Sequence, residues 1–259
     1  MNPVIEVVNL SKTFTGRAGW FSAARHQVQA VKQVTLHLAA GETLAVVGES
    51  GSGKSTLARM LVGLETPTSG SIRVMGEEMQ RQRRGKGFGQ RIQYVFQDPQ
   101  ASLNPRQTID DILDVPLRLL CGYAASERRR RKLELMEAVQ MPADALNGYP
   151  HEFSGGQAQR LAIARALAAE ARILVLDEPV SALDVSVQAQ VLLLLQQLKQ
   201  QFDLSYLFIS HDLAVVEAIA DRVAVMYHGD LLECAASEAL FRAPGHQYTK
   251  SLLASAPRL

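Results

Sequence analysis

Gly48-Glu49-Ser50-Gly51-Ser52-Gly53-Lys54-Ser55 stands between the apolar run Leu44–Val47 and the helical run Thr56–Leu64. A strand, a Gly-rich loop closing on Lys-Ser, and a helix, in that order, make a complete phosphate-binding loop. The glycines let the backbone wrap tightly round phosphate oxygens, and the N–H groups at the start of the following helix face the anion. Gly48, Glu49, Ser50, Gly51, Ser52, Gly53, Lys54, Ser55 and Thr56 are therefore the candidate phosphate contacts. Lys54 is placed to neutralise β- and γ-phosphate charge and Ser55 to ligate Mg²⁺. A chance match to the pattern in a chain of this length is on the order of 1 in 100 before the flanking strand and helix are required. A Gly-rich turn without a ligand is a poor account of it.

Outward from the loop, Ile173-Leu174-Val175-Leu176 is a continuous apolar stretch suited to a strand buried on both faces, and Asp177 and Glu178 follow it before Pro179. An acidic pair of this kind is by itself a common strand-end turn. Beside a phosphate loop it becomes a Mg²⁺ partner (Asp177) and a base for the water that attacks the γ-phosphate (Glu178). A helical run Gln157–Ala171 precedes this strand, and helix Val187–Phe202 and strand Ser205–Ile209 repeat the alternation. The opening runs Ile5–Val8, Val28–Leu38 and Leu44–Val47 read as sheet, separated by a polar stretch from Thr15 to His26. Gln107–Met141 reads as a helical insert punctuated at Pro116, Gly122 and Pro142. Alternating strands and helices imply an α/β fold with a mainly parallel sheet and a ligand site at the strands' carboxyl ends.

The 259 residues are 47% hydrophobic and 20% charged, the balance of a globular protein able to bury its own core. A formal charge of +1 supplies no general attraction to nucleic acid or an anionic membrane. Cys121 and Cys234 are too few for a disulfide scaffold or a Cys-rich metal site, which fits a reducing compartment. The start, with Glu6, lacks a secretory pattern, and no apolar run approaches the roughly 20 residues of a spanning helix. A cytosolic chain with at most a peripheral membrane role is expected.

Phe153-Ser154-Gly155-Gly156-Gln157 resembles the signature motif of ABC ATPases. Physically it is a second Gly-rich helix start able to face an anion. The resemblance covers nearly the whole chain, because the other family elements appear in order. Gln97 resembles the Gln that contacts Mg²⁺ and the attacking water, Ser181-Ala182-Leu183-Asp184 the loop crossing the dimer interface, and His211 the switch histidine of the γ-phosphate. Phe14 stands where the family usually has its adenine platform, with Trp20 and Phe21 close by in sequence. The resemblance implies ATP and Mg²⁺ as cofactors, with catalytic roles for Glu178, His211, Gln97 and Lys54, and metal contacts from Ser55, Gln97 and Asp177. Ser154, Gly155, Gly156 and Gln157 would close on the ATP held by a second cassette. It implies one ABC domain over 1–259: a nucleotide-binding core at 1–96 and 166–228 with an N-terminal antiparallel part, a helical subdomain at 97–165, and a tail at 229–259.

Gln97–Pro105, Glu178–Gln190 and His246-Gln247-Tyr248-Thr249-Lys250-Ser251-Leu252-Leu253 are similar to the ATPases of oligopeptide, dipeptide and nickel importers. Gln247 replaces the Pro usual in those proteins. Many peptide-importing relatives continue with a Cys-containing extension where this sequence stops at Leu259, so peptides and nickel or metal–chelator complexes both remain open as cargo. The resemblance implies a second, related but different ATPase chain, two membrane permease subunits, an extracytoplasmic solute-binding protein and a peripheral place on the cytoplasmic face of the plasma membrane. The basic runs Arg128–Lys132 and Arg81–Lys86 read as solvated faces, with docking to permease loops a further role for the first. Two other classes compete: a non-transport ABC ATPase acting on nucleic acid or the ribosome, and a non-hydrolysing regulatory module. The sequence lacks the coiled coils, zinc modules or tandem cassettes usual in the former, and Glu178 with His211 argues against the latter.

Overall fold

The computed structural model describes residues 3–15, 27–79 and 87–255. Trp20 and Phe21, with most of the Thr15–His26 stretch, and the basic run Arg81–Lys86 lie outside the described residues. In chain order the elements are β1 (Pro3–Thr15), β2 (Gln27–Ala39), β3 (Thr43–Val47), α1 (Lys54–Leu61), β4 (Ser69–Val74), β5 (Glu77–Glu78), β6 (Ile92–Val95), α2 (Pro99–Ser102), α3 (Ile109–Leu119) and α4 (Ala125–Ala138). Two 3₁₀ turns follow, then α5 (Gly155–Leu167), β7 (Ile173–Asp177), α6 (Val185–Gln201), β8 (Ser205–Ile209), α7 (Leu213–Ile219), β9 (Arg222–Tyr227), β10 (Asp230–Ala236), α8 (Ser237–Arg242) and α9 (Gln247–Ser255). Two compact units form, one from Met1–Arg83 with Leu207–Leu259 and one from Arg84–Tyr206.

In the first unit, β1 pairs antiparallel with β2 and β4 in the order β2-β1-β4-β5. Ile5, Val7 and Leu10 point into the core with Val31, Val34, Leu36 and Leu38. The spacing between Val7 and Leu10 is not the alternation of a regular strand, and the register shifts there. Asn9 and Gln33 take left-handed φ of 49° and 47°. Their amides go to side chains of the facing strand: Asn9 N–H donates to Thr35 Oγ1 and Gln33 N–H to Ser11 Oγ, each at 2.9 Å. The bulges thus leave no stray donor at these positions.

β3 is buried at every residue and runs parallel to β9, with Leu44 opposite Arg222 and Val47 opposite Val225. β10 pairs antiparallel on the far side of β9, and β8 neighbours β3. Thr43 N–H donates to the Asp221 carboxylate and Asp221 N–H to the Thr43 carbonyl, which locks the starting register of β3 and β9. Leu213, Val216 and Leu240 cover Ala45, Val47, Val223 and Val225, and Tyr248, Leu252 and Leu253 of α9 pack against the same cluster.

In the second unit β6 runs parallel to β7. α5 buries Ala158, Ala162, Ala164 and Ala166, side chains small enough for close helix approach. It starts two residues before the expected Gln157, because the Ser154 side chain caps it and Ser154 N–H in turn donates to Gln157 Oε1. It ends at Leu167, short of the expected Ala171, where Glu170 turns left-handed (φ 56°). α6 starts at Val185, two residues before the expected Val187, because the Asp184 carboxylate caps it. Pro116 does not stop α3, which continues three residues beyond it. The break falls at Gly122 (φ 72°).

The basic run on α4 corrects the expectation of a solvated face. Arg128 Nε donates to Asp114 at 2.8 Å, while Lys132 Nζ reaches Asp110 at 2.7 Å and Asp114 at 3.2 Å. The Lys132 side chain is only 7% exposed. Asp110, Asp114, Arg128 and Lys132 clamp α3 to α4, and the outward part of the run is Arg129 and Arg130. Among the described residues, no helix is long and apolar enough to cross a membrane.

Candidate active site

The first unit carries the phosphate loop. The buried run of β3 ends at Val47 and delivers Gly48, whose φ of 147° begins the turn. A Cβ on Gly48 would lie 2.1 Å from the Met226 carbonyl oxygen, and one on Gly53 (φ 104°) 2.1 Å from that of Ala30. β2 and β9 therefore press on the loop's back, where only glycine fits. Lys54, 6% exposed, folds its ammonium over the loop and donates to Gly48 O at 2.6 Å and Glu49 O at 2.8 Å. Ser55 and Thr56 follow it in the first turn of α1, which contains no acidic residue to oppose an anion.

Phe14 sits near the end of β1, 41% exposed, with Lys12 Nζ 4.8 Å from its ring centre. An exposed aromatic face is what an adenine platform requires. His211 is exposed just past β8, and Asp212 beside it caps α7 through Ala214 N–H and Val215 N–H.

The second unit carries the carboxylates. Parallel pairing sets Val95 of β6 opposite Leu176 of β7, so the residues that follow each strand emerge side by side. Gln97 Nε2 donates to Glu178 Oε2 at 2.8 Å. Glu178 holds a left-handed φ of 48°, a conformation costly for a side-chain-bearing residue and one that recurs at functional sites. Ser181 N–H and Oγ both bond the Glu178 carbonyl and secure the turn. Asp177 is 5% exposed and accepts a hydrogen bond from the Tyr94 hydroxyl. Tyr94 was not among the residues singled out from sequence; its signal is a hydroxyl-bearing ring within a short apolar strand beside the acidic pair.

The same unit presents the second Gly-rich helix start. Gln100 Nε2 bonds the Phe153 carbonyl at 3.3 Å and steadies the approach to Ser154. A Cβ on Gly155 would touch Leu183 at 3.4 Å, and one on Gly156 would strike Val187 Cγ1 at 2.4 Å. The glycines therefore also let α5 and the start of α6 meet. The Asp184 carboxyl is held below its ordinary value of 3.8 by hydrogen bonds from Ser186 and from Val187 N–H. Arg165, also absent from the sequence-derived set, is mostly buried and bonds the Ser102 carbonyl, tying α5 to the end of α2.

Within the first unit, then, the loop from Gly48 runs directly into α1, which begins at Lys54. Within the second, Gln97 and Glu178 are in contact and Asp177 adjoins them, while Ser154–Gln157 form a separate capped helix start.

Residues 31–181 match the family model described as ABC transporter. The chain is 49% identical over 259 residues to the dipeptide transport ATP-binding protein DppF of Haemophilus influenzae, spanning 99% of this chain and 79% of that one. It is 45% identical over 257 residues to the oligopeptide transport ATP-binding protein AppF of Bacillus subtilis, spanning 98% and 78%. Among solved structures, a dimeric post-hydrolysis state of the ATP-binding cassette MJ0796 bound to ADP and Pi superposes with a TM-score of 0.77 at 28% identity, over 90% of this chain and 98% of that one. CbiO1 of Clostridium perfringens, part of the ABC transporter complex cbiONQ, shares the fold with a TM-score of 0.79 at 24% identity, over 94% and 92%.

Proposed function

We propose, since this chain belongs to the ABC transporter family and is one of its ATP-binding and ATP-hydrolysing subunits, that it energises the uptake of peptides through a membrane transporter. The observation that carries the nucleotide reading is the phosphate loop folded around the buried Lys54 ammonium. The relatives described as dipeptide and oligopeptide transport proteins favour peptides over nickel or metal–chelator complexes as cargo.

The residue roles follow from the chemistry each offers. Gly48–Thr56 supply backbone N–H groups and the Lys54 charge to the phosphates, and Phe14 a ring face to adenine. Glu178, its carboxylate aimed by Gln97, is the base for the attacking water, and His211 contacts the γ-phosphate. Ser55, Gln97 and Asp177 offer hydroxyl, amide and carboxylate oxygens, a hard donor set that suits Mg²⁺. Gln97 fits this because its NH₂ is spent on Glu178, which leaves its carbonyl oxygen for the ion. Held by these residues, Mg²⁺ would supply positive charge against the negative charge that develops on the phosphates during transfer.

Ser154, Gly155, Gly156 and Gln157 serve the ATP of a second cassette, so the working unit is a pair. That second chain is a related but different ATPase. The pair drives two membrane permease subunits, fed by an extracytoplasmic solute-binding protein, from the cytoplasmic face of the membrane. The functional subregions are a core at 1–96 and 166–228, a helical subdomain at 97–165 and a tail at 229–259.

The test is the mass in solution of Glu178→Gln with ATP and Mg²⁺, against Lys54→Ala. An ATP-dependent dimer lost in the control supports the shared-site mechanism and shows self-pairing. A monomer that binds ATP points to an obligatory different partner, and failure to bind ATP refutes the reading.

A further inference from the structure

We propose that Tyr248, on the C-terminal helix α9, is a positioning residue for the phosphate loop, holding its first turn through Glu49 N–H so that the loop is preshaped for nucleotide. The proposal rests on the reading of Gly48–Ser55 as the nucleotide loop. Glu49 N–H donates to Tyr248 Oη at 3.4 Å, across 199 residues of sequence. The Tyr248 ring packs on Tyr227 at a centroid distance of 4.3 Å, and Tyr227 packs on His228 at 4.2 Å. The turn carrying His228 is itself bonded to the loop, because Gly229 N–H donates to the Ser52 carbonyl at 3.0 Å. Two supports therefore meet under the loop, one from the β9–β10 turn and one from α9, and they are joined ring to ring.

α9 is well placed to act as such a support. The Glu233 carboxylate of β10 accepts from Gly245 N–H at 2.8 Å and His246 N–H at 3.1 Å, which fixes the entry to the helix. Tyr248, Leu252 and Leu253 pack on the cluster that contains Val47, the residue immediately before the loop. A hydroxyl bond to a loop amide lowers the number of conformations the free loop samples, and a ligand that needs one of them binds more tightly in consequence.

The experiment uses the full chain as wild type, Tyr248→Phe, Tyr248→Ala and Lys54→Ala. It measures ATP affinity by equilibrium dialysis, amide hydrogen exchange across residues 44–57, and melting temperature. Tyr248→Phe keeps the ring, so it should melt as the wild type does. It should also exchange faster at Glu49 and its neighbours and bind ATP about two- to tenfold more weakly, the range of one neutral hydrogen bond. Tyr248→Ala, which also loses the Tyr227 contact, should bind more weakly still. Unchanged affinity and exchange in Tyr248→Phe, with ATP binding lost in Lys54→Ala, overturns the positioning role alone. Weaker binding accompanied by a lower melting temperature and faster exchange throughout the chain overturns it as well, by marking Tyr248 as merely structural. Full ATP binding by Lys54→Ala overturns the loop reading itself.

Discussion

Gly156→Ala adds one methyl group where the start of α5 meets α6, and its cost can be worked from the geometry. The new Cβ would lie 2.4 Å from Val187 Cγ1. Carbon atoms in good contact sit about 3.5–4.0 Å apart, so the overlap exceeds about 1 Å. Val187 is β-branched and stiff in a helix, and α6 is pinned at its start by the Asp184 cap, so neither rotation nor sliding relieves the clash cheaply. Overpacking of this kind costs about 1–3 kcal/mol. Against it stands the helix-propensity gain of Ala over Gly, at most about 1 kcal/mol. The net expectation is a destabilisation of about 1–2 kcal/mol, or a fall in melting temperature of roughly 2–8 °C for a chain of this size. The assay is thermal and denaturant unfolding of the wild type, Gly156→Ala, Val187→Ala and the double substitution. Val187→Ala removes the obstructing Cγ1, so the double form should be no less stable than Val187→Ala alone, a coupling of about 1–2 kcal/mol. Additive effects, or a Gly156→Ala form as stable as the wild type, would refute the argument that Val187 dictates glycine at this position.

Glu178 occupies a left-handed backbone, so Glu178→Gly should be more stable than Glu178→Ala by about 1 kcal/mol in denaturant unfolding, with ATP hydrolysis lost in both. Tyr94→Phe removes a donor from the buried Asp177 carboxylate; it should lower stability by about 1–2 kcal/mol and reduce ATP turnover. Burial alone would raise the Asp114 carboxyl, but the Arg128 and Lys132 hydrogen bonds overcome that and hold it below its ordinary value of 3.8. A depressed carboxyl stabilises the fold above its unfolded value and loses that contribution as pH falls through its folded value. The stability gap between wild type and Asp114→Asn should therefore be constant near neutral pH and close only below pH 3.8, as followed by thermal melting across pH.

Much of the site was legible because local chemistry over-determines it. Gly48, Gly53 and Lys54 can be read from a short window, since the turn, the helix start and the charge all lie within it. The capped starts at Ser154 and Asp184 follow the same local logic, and α5 and α6 begin two residues before their apolar patterns because the cap, not the first apolar residue, starts a helix. The basic run on α4 is not legible in sequence for the opposite reason. Whether Arg128 and Lys132 face water or Asp110 and Asp114 depends on how two helices pack, which residue spacing on one helix does not reveal.

The sequence by itself determined the phosphate loop, the acidic pair after a buried strand, the second Gly-rich helix start and the α/β alternation that places them. Each is a run of neighbouring residues whose spacing alone dictates backbone geometry. Only the tertiary structure decided that Tyr94 holds Asp177, that Gln97 aims Glu178, that Val187 permits nothing larger than glycine at position 156, and that Tyr248 reaches the loop amide of Glu49. These contacts join residues up to 199 positions apart. Strand register and core packing bring them together, and those arise from the sum of many burial and pairing energies across each unit, which no single stretch of sequence contains.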